Sequence, residues 1–265
     1  MTIGFIGGGN MAGAIIRGLV AAGVYSPGEI LVTDITPERS RECASRLGVT
    51  PADTARELIG RSDTVVLAVK PVVYPALLPE LSAVLRAKNP LVVSIAAGKT
   101  IGFIEAQLGF SPALVRVMPN INAKVSASMS AFCANSNVSQ EQKEQVARMF
   151  GAVGQVKELD EGFFPLFGVI AGSAPAFAYL FIDSLARAAV KNGMNKQTAL
   201  EIAAQTVLGS AKLILESGEH PWALIDQVCS PGGTTIEGIA ALQENGLETA
   251  VRKAVDAAVE KDQRL

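Results

Sequence analysis

The residues best suited to ligand chemistry form a glycine-rich turn between a short apolar run and a helical pattern. The sequence of the turn is Gly7-Gly8-Gly9-Asn10-Met11-Ala12, which matches the pattern G-x-G-x-x-A. The first small residue permits a tight turn, the second lets the backbone approach a pyrophosphate, and the third allows a helix to pack closely on a sheet. Free N–H groups at the helix N-terminus attract phosphates. We therefore predict a nicotinamide dinucleotide site that extends from Ile6 to Met11.

Residues at the ends of three further apolar runs complete the predicted cofactor site. Asp34 is placed to accept a hydrogen bond from a ribose 2′-hydroxyl, which favours NADH because a carboxylate repels the 2′-phosphate of NADPH. Two alternatives stay open: Asp34 only begins a turn before Thr36, or Thr36 and Arg39 hold that phosphate. Later run ends should face the crevice where open α/β sheets bind ligands. They contribute Ala68, Val69, Lys70 and Pro71, and then Ser94, Ala96 and Ala97.

A second glycine-rich turn lies near the C-terminus and precedes a predicted helix, Ile236–Gln243. Its sequence is Ser230-Pro231-Gly232-Gly233-Thr234-Thr235. Two glycines and two threonines at a helix start bring several free N–H groups and two hydroxyls into a small volume, which suits a carboxylate. The alternative is an ordinary helix cap in which Thr234 or Thr235 is the N-cap residue.

Composition argues against several other classes of function. The formal charge of −2 without a basic block speaks against nucleic acid as a partner. The single histidine, His220, lies at a predicted helix boundary, so we expect a capping or surface role and no histidine-ligated metal. Cys43, Cys133 and Cys229 lack CxxC spacing and suit a reducing cytoplasm. We find no run of about 18 apolar residues and expect no membrane span; Met1–Ile6 is interpreted as a strand rather than a signal peptide.

These motifs need a doubly wound α/β domain to position them. Over residues 1–160, short runs rich in Val, Ile and Leu alternate with helical patterns, which is typical of strands buried on both faces of a parallel sheet. The predicted strands are Ile3–Ile6, Ile30–Val32, Thr64–Val69, Leu91–Ile95, Leu114–Val117 and Gln155–Leu159. The predicted helices are Met11–Ala22, Pro37–Leu47 (with Thr36 as N-cap), Ala55–Gly60, Tyr74–Leu85, Ile101–Leu108 and one that a Ser139 capping box opens and that ends near Phe150.

Residues 161–265 show only helical patterns. Together with the strand–helix alternation before them, this predicts two domains: a Rossmann-like domain over 1–160 and an all-helical domain over 161–265. The helix Pro175–Lys191 is apolar nearly all round and must be buried on several sides. Asn195 caps the next helix, which extends to Ser217, and the last helix has an apolar stripe that begins at Leu247. This much apolar surface predicts a homodimer. The alternative is that these faces all pack on the N-terminal domain.

With these motifs in order, the chain resembles the pyrroline-5-carboxylate reductase family over its full length. The N-terminal turn is shared by many dehydrogenases, whereas the Ser230–Thr235 turn is specific to this family. The segments that carry the resemblance are Phe5–Met11, Ala68–Pro71, Ser94–Gly98, Arg116–Asn120, Gly172–Ala176 and Asp226–Thr235.

The resemblance implies a reductase that passes hydride from NADPH or NADH to C5 of 1-pyrroline-5-carboxylate and forms L-proline, the last step of proline synthesis. It implies that backbone N–H groups of Gly232, Gly233 and Thr234 hold the substrate carboxylate. The Thr235 hydroxyl then lies near the ring nitrogen as the catalytic group. Ser230 and Ser173 join the substrate site, and Asn120 joins the cofactor site. A helical domain interlocks with a partner subunit, giving a cytoplasmic homodimer or a higher assembly of dimers.

The chain departs from the family pattern where the second domain begins. Pro165 and Gly168 stand where Asp and Thr are common, and Ala171 and Ala174 replace Ser and Gly. These differences bear on ring-size selectivity and turnover. Two other functions stay open: reduction of a different cyclic imine, and NAD(P) sensing without turnover. A hydroxyacid dehydrogenase would need a catalytic lysine early on the first long helix of the second domain, whereas Lys191 comes only at its far end.

Overall fold

The computed structural model describes residues 1–262 and divides into two compact units. The first unit ends at Gly172 and the second begins at Ser173. The first unit carries the sheet and the N-terminal turn, and the second carries the long helices and the C-terminal turn.

The first unit is built on an eight-stranded sheet within the described residues. Its strands are β1 (Ile3–Ile6), β2 (Ile30–Thr33), β3 (Thr50–Pro51), β4 (Thr64–Leu67), β5 (Leu91–Ser94), β6 (Leu114–Met118), β7 (Ser128–Ala134) and β8 (Gly154–Glu158). Their order is β3-β2-β1-β4-β5-β6-β7-β8, and β6–β7 is the antiparallel pair in an otherwise parallel sheet. The first six strands have the order of dinucleotide-binding folds, in which ligands bind where the strand order reverses, between β1 and β4. The predicted Rossmann-like fold is confirmed.

Six of these strands lie where the sequence predicts them: five at apolar runs, and β8 at the predicted last strand, Gln155–Leu159. β1, β2, β4 and β5 are buried at every residue, which explains why their sequences do not alternate between apolar and polar positions. The run Thr64–Val69 is too long as a strand, because β4 ends at Leu67 and Ala68 begins the following loop. Two strands were not predicted. β3 has only two residues, and β7 is rich in Ser, Ala and Cys rather than in large apolar residues.

Helices cover both faces of the sheet, each over its own apolar core. The helices of this unit are α1 (Asn10–Ala21), α2 (Pro37–Leu47), α3 (Ala55–Arg61), α4 (Tyr74–Lys88), α5 (Ile101–Leu108), α6 (Gln140–Gly151) and α7 (Phe164–Phe167). Side chains of α1, α2 and α6 share one buried cluster, and side chains of α3, α4 and α5 share the other. The Ser139 capping box at the start of α6 is confirmed, with Ser139 Oγ accepting from Gln142 N.

The second unit is helical throughout the described residues. It contains α8 (Ala174–Lys191), α9 (Lys196–Ser217), α10 (Pro221–Val228), α11 (Thr234–Glu244) and α12 (Leu247–Asp262). Asn195 caps α9 as predicted, and His220 caps α10 through Nδ1, which accepts from Trp222 N at 3.3 Å. The predicted capping role of the single histidine is therefore confirmed.

Much of the apolar surface of the second unit is exposed in the single chain. On α8, Ala186 is buried, whereas Tyr179 and Leu180 are 57% and 69% exposed. The burial predicted for α8 is thus not supplied by its own chain. The segments Glu161–Lys191 and Lys196–Ser217 are long and apolar enough to cross a membrane by length and composition alone. The expectation that the chain has no apolar stretch long enough to span a membrane was therefore wrong. Core helices of soluble proteins can be equally long and apolar.

Candidate active site

Gly7 forms the sharp turn that leads from β1 into α1. Its φ is +107°, a conformation that side-chain-bearing residues rarely adopt. Its N–H donates to the carbonyl of Thr33 at 2.8 Å, which ties the turn to β2. A Cβ at Gly7 would lie 2.8 Å from both the carbonyl carbon and the oxygen of Ala68. The backbone conformation and the close approach of the loop after β4 both require glycine at this position.

Gly9, in contrast, is not required by the fold. It is the N-cap residue of α1 with an ordinary φ of −73°, and a Cβ there would meet nothing within 4 Å. Within residues 1–262 no side chain caps α1, so the first N–H groups of the helix remain available to a ligand. The open space at Gly9 and the N–H groups beside it would let a phosphate approach the backbone closely.

Asp34 holds the glycine turn in place through its carboxylate. Oδ2 accepts from Gly8 N at 2.9 Å, and Oδ1 accepts from Thr36 N at 3.1 Å. Thr36 occupies the N-cap position of α2 as predicted, but its side chain makes no capping hydrogen bond. Asp34 therefore does begin a turn before Thr36, as one of the alternatives proposed. A carboxylate has about four acceptor sites, so the ribose contact also stays a prediction.

A basic cavity of about 440 Å³ opens beside the glycine turn. Three cationic side chains, Arg39, Arg46 and Lys70, line it with the acidic Glu42. This excess of positive charge and the free N–H groups of α1 fit a dinucleotide pyrophosphate. Arg46 and Glu42 were not predicted from the sequence, although the spacing of Arg39, Glu42 and Arg46 places them on one face of α2. The cavity is lined by Gly8, Gly9, Asn10, Arg39, Glu42, Cys43, Arg46 and Lys70.

The predicted cofactor residues after β4 and β5 differ in their exposure. Ala68 and Val69 are half-buried, and Lys70 is exposed before a short 3₁₀ turn that begins at Pro71. Ser94 is fully buried and its hydroxyl lies 3.0 Å from that of Tyr74. Ala96 is also buried, while Ala97 is exposed.

Asn120 is buried and its side chain is engaged within the protein. Nδ2 donates to the carbonyl of Ala171 at 2.8 Å, and Oδ1 accepts from Asn122 N at 3.3 Å. Ala171 lies in a π-helix, Gly168–Ser173, a form of turn that is frequent at functional sites. Two of the departures from the family pattern, Gly168 and Ala171, therefore belong to this π-helix. The amide of Asn120 connects the end of β6 to it.

The Ser230–Thr235 turn of the second unit is shaped by its glycines. Gly232 has a φ of +66°, and Gly233 N donates to the carbonyl of Ser230 at 3.0 Å. A Cβ at Gly233 would lie 2.3 Å from Ser230 Oγ and 3.1 Å from the carbonyl oxygen of Ser230, so a larger residue would require the Ser230 side chain to rotate and would crowd the backbone. Gly233 is the N-cap residue of α11, and among the described residues no side chain caps this helix.

The threonine hydroxyls of this turn are thus not used for capping. The alternative in which Thr234 or Thr235 is the N-cap residue was wrong, because both lie inside the first turn of α11. Thr234 is exposed and Thr235 is half-buried, and Ser173 and Ser230 are exposed. Because Gly233 N–H donates to Ser230 O, it is not free for a carboxylate, which corrects one of the three expected N–H contacts. The N–H groups of Gly232 and Thr234 and the hydroxyls remain at the helix N-terminus, an arrangement suited to a small carboxylate. Within residues 1–262, no group of three or more His, Cys, Asp or Glu side chains is arranged to hold a metal ion.

Known proteins similar to this chain share both units. A family model described as pyrroline-5-carboxylate reductase dimerisation matches residues 161–265, and one described as NADP oxidoreductase, coenzyme F420-dependent, matches residues 2–98. Pyrroline-5-carboxylate reductase of Escherichia coli K12 is 42% identical over 264 residues, covering 99% of this chain and 97% of the relative. The Arabidopsis thaliana protein of that name is 37% identical, with 99% and 95% covered.

Solved structures agree with this similarity. A pyrroline-5-carboxylate reductase from Coxiella burnetii superposes with a TM-score of 0.94 at 36% identity, covering 99% of this chain and 97% of the other. The Plasmodium falciparum pyrroline carboxylate reductase with NADP bound gives a TM-score of 0.85 at 30% identity, with 100% and 97% covered.

Proposed function

The chain belongs to the pyrroline-5-carboxylate reductase family, and from that premise we propose how its own residues reduce 1-pyrroline-5-carboxylate to L-proline with NAD(P)H. It is an NAD(P)-dependent oxidoreductase of proline biosynthesis. The observation that carries the proposal is the uncapped start of α11, where the N–H groups of Gly232 and Thr234 and two threonine hydroxyls are left for a ligand. We further propose that residues 1–160 bind the cofactor and that residues 161–265 bind the imine and dimerise.

The cofactor supplies the hydride when it is bound, and the first unit holds and orients it. The N–H groups at the start of α1 receive the pyrophosphate, and Arg39, Arg46 and Lys70 offset its charge. Ala68–Pro71 and the backbone after β5 contact the nicotinamide half. Asp34 favours NADH if its free acceptor positions meet the ribose 2′-hydroxyl, whereas Thr36 and Arg39 favour NADPH if they bind a 2′-phosphate.

The second unit holds the cyclic imine. The N–H groups of Gly232 and Thr234 bind the substrate carboxylate, because the Gly233 N–H already donates to Ser230 O. The Thr235 hydroxyl hydrogen-bonds the ring nitrogen. Ser173 and Ser230 complete the polar lining. No histidine is required, since the imine nitrogen takes its proton from solvent, and this protonation makes C5 electrophilic toward hydride. Orientation of C5 then supplies most of the rate enhancement.

A turnover assay with product detection tests this proposal. Purified protein is mixed with NADH or NADPH and racemic 1-pyrroline-5-carboxylate, and cofactor oxidation and L-proline are measured in the same sample. We expect one L-proline for each cofactor oxidised. Cofactor binding without any L-proline would support the sensing alternative. Faster turnover of a six-membered cyclic imino acid would instead support the alternative of a different ring.

The second unit also provides the surface on which two chains associate. The family model that describes dimerisation spans residues 161–265, and α8, α11 and α12 line an apolar cavity of about 790 Å³ in the single chain. We propose that a second copy buries this surface in a homodimer or an assembly of dimers, in the cytoplasm, without membrane or nucleic acid. Sedimentation in detergent-free buffer tests this. Leu180→Asp should shift the protein toward monomer, while substitution of the exposed Lys157 by Asp in the first unit should not.

A further inference from the structure

A buried tyrosine connects the two loops to which we assign the nicotinamide half of the cofactor. Tyr74 is the first residue of α4 and is fully buried. Its hydroxyl donates to the carbonyl of Leu67 at 3.0 Å and lies 3.0 Å from Ser94 Oγ. Leu67 and Ser94 are the last residues of β4 and β5. One phenol thus reaches the carboxyl ends of two neighbouring strands.

The donors and acceptors of this contact are arranged in one consistent way. The single phenol proton goes to Leu67 O, so the Ser94 hydroxyl donates to the phenol oxygen. Ser94 Oγ in turn accepts from Ala96 N at 3.4 Å. Burial raises the pKa of the Tyr74 phenol well above its ordinary value, so the group stays a neutral donor. Each hydroxyl therefore fixes backbone at the start of a predicted cofactor loop.

The same backbone is tied to the glycine turn. Leu67 O also accepts from Ile95 N at 3.2 Å, so one carbonyl joins β4, β5 and α4. The next residue, Ala68, lies against Gly7 so closely that no Cβ fits between them. A shift of the Leu67–Ala68 peptide would therefore displace the backbone of the glycine turn, to which we assign the pyrophosphate.

We propose that Tyr74 is a positioning residue for the dinucleotide. It touches neither cofactor nor imine, and through Leu67 O and the Ser94 hydroxyl it sets the backbone of Ala68–Pro71 and of Ser94–Ala97. The proposal rests on the assignment of these loops to the cofactor. Loss of the phenol hydroxyl weakens NAD(P)H binding by more than its effect on the fold explains.

A second buried tyrosine provides a matched control. Tyr25 is 5% exposed and its hydroxyl accepts from Gln145 Nε2 at 3.0 Å. Gln145 also donates to Thr64 Oγ1, at the first residue of β4. This phenol therefore belongs to the same sheet but supports the amino end of the strand whose carboxyl end Tyr74 supports. Both substitutions to Phe remove one buried hydroxyl and keep the ring.

The experiment compares Tyr74→Phe, Ser94→Ala, their double variant and Tyr25→Phe. The dissociation constants of NADPH and NADH are measured by titration calorimetry, and the melting temperature is measured in parallel. We expect Tyr74→Phe and Ser94→Ala each to raise the dissociation constant about three-fold or more, the scale of one lost hydrogen bond. The double variant should match the larger single effect, because both break one link. Tyr25→Phe should lower the melting temperature similarly and leave binding unchanged.

Equal dissociation constants for the wild type and Tyr74→Phe, beside a lowered melting temperature, would overturn the positioning role. Strictly additive effects of Tyr74→Phe and Ser94→Ala would also overturn it, because the two groups would then act separately. If Tyr74→Phe does not fold, Ser94→Ala decides the question with the same expectation. Because binding is measured without the imine, this result is independent of whether L-proline is formed.

Discussion

Gly9→Ala separates a glycine kept for a ligand from one kept for the fold. Gly9 has a φ of −73° and open space where a Cβ would lie, so alanine fits without strain. The expected structural cost is that of a poorer N-cap residue, about 0.5–1 kcal/mol. For a chain of this size that corresponds to a loss of about 1–4 °C in melting temperature. The methyl group, however, would occupy the space in which we propose that the pyrophosphate approaches the backbone.

The expected effect of Gly9→Ala on NAD(P)H is therefore much larger than its effect on stability. We expect the dissociation constant to rise at least tenfold, about 1.4 kcal/mol of binding free energy. Gly7→Ala is the matched comparison. At Gly7 the φ is +107° and a Cβ would lie 2.8 Å from backbone atoms of Ala68. Backbone strain of about 1–3 kcal/mol and overpacking of similar size add there.

Denaturant unfolding and cofactor titration of both variants decide between these roles. We expect Gly7→Ala to lose stability and cofactor binding together, and Gly9→Ala to lose chiefly cofactor binding. If Gly9→Ala binds NADH and NADPH as tightly as the wild type does, the dinucleotide does not bind at this turn. Gly9→Ala as unstable as Gly7→Ala would show that Gly9 serves the fold.

Three further substitutions test other parts of the site. Thr235→Ala should lower turnover at least tenfold and leave NAD(P)H affinity unchanged, with Thr235→Ser restoring much of the rate; equal losses in turnover and cofactor affinity would place Thr235 outside the imine site. Asp34→Ala should shift the ratio of kcat/KM values toward NADPH, and an unchanged ratio would leave Asp34 as the residue that holds Gly8 N. Asn120→Asp replaces the donor to Ala171 O by a carboxylate, so denaturant unfolding should show a loss of about 1–3 kcal/mol; a stability equal to that of the wild type would mean that this buried contact is dispensable.

Features with a local cause were predictable from the sequence. The glycine turn, the five apolar strands and the helix caps at Ser139, Asn195 and His220 each depend on residues that are close together in the sequence. A buried strand is visible because it must be apolar on both faces. β7 was not predicted because it is rich in Ser, Ala and Cys, so its sequence lacks the run of large apolar residues that marks the other buried strands.

Contacts between distant parts of the chain were not predictable. The buried Arg116 pairs with Glu161 at 2.9 Å, and Asn120 bonds Ala171. Neither pair has a signal in spacing, because the partners are brought together by the sheet and the π-helix. Tyr74 is similar: its position marks the start of a helix, but its link to Leu67 follows only from the register of β4 and β5.

The most direct test of the account follows the hydride itself. NADPH and NADH carrying deuterium at C4, in each of the two stereochemical forms, are incubated with the protein and 1-pyrroline-5-carboxylate, and the product is examined by NMR and mass spectrometry. We expect L-proline with one deuterium at C5 from one stereochemical form of the cofactor, and unlabelled L-proline from the other. L-proline without deuterium from both forms, or cofactor oxidation without L-proline, would contradict direct transfer from the nicotinamide to the imine.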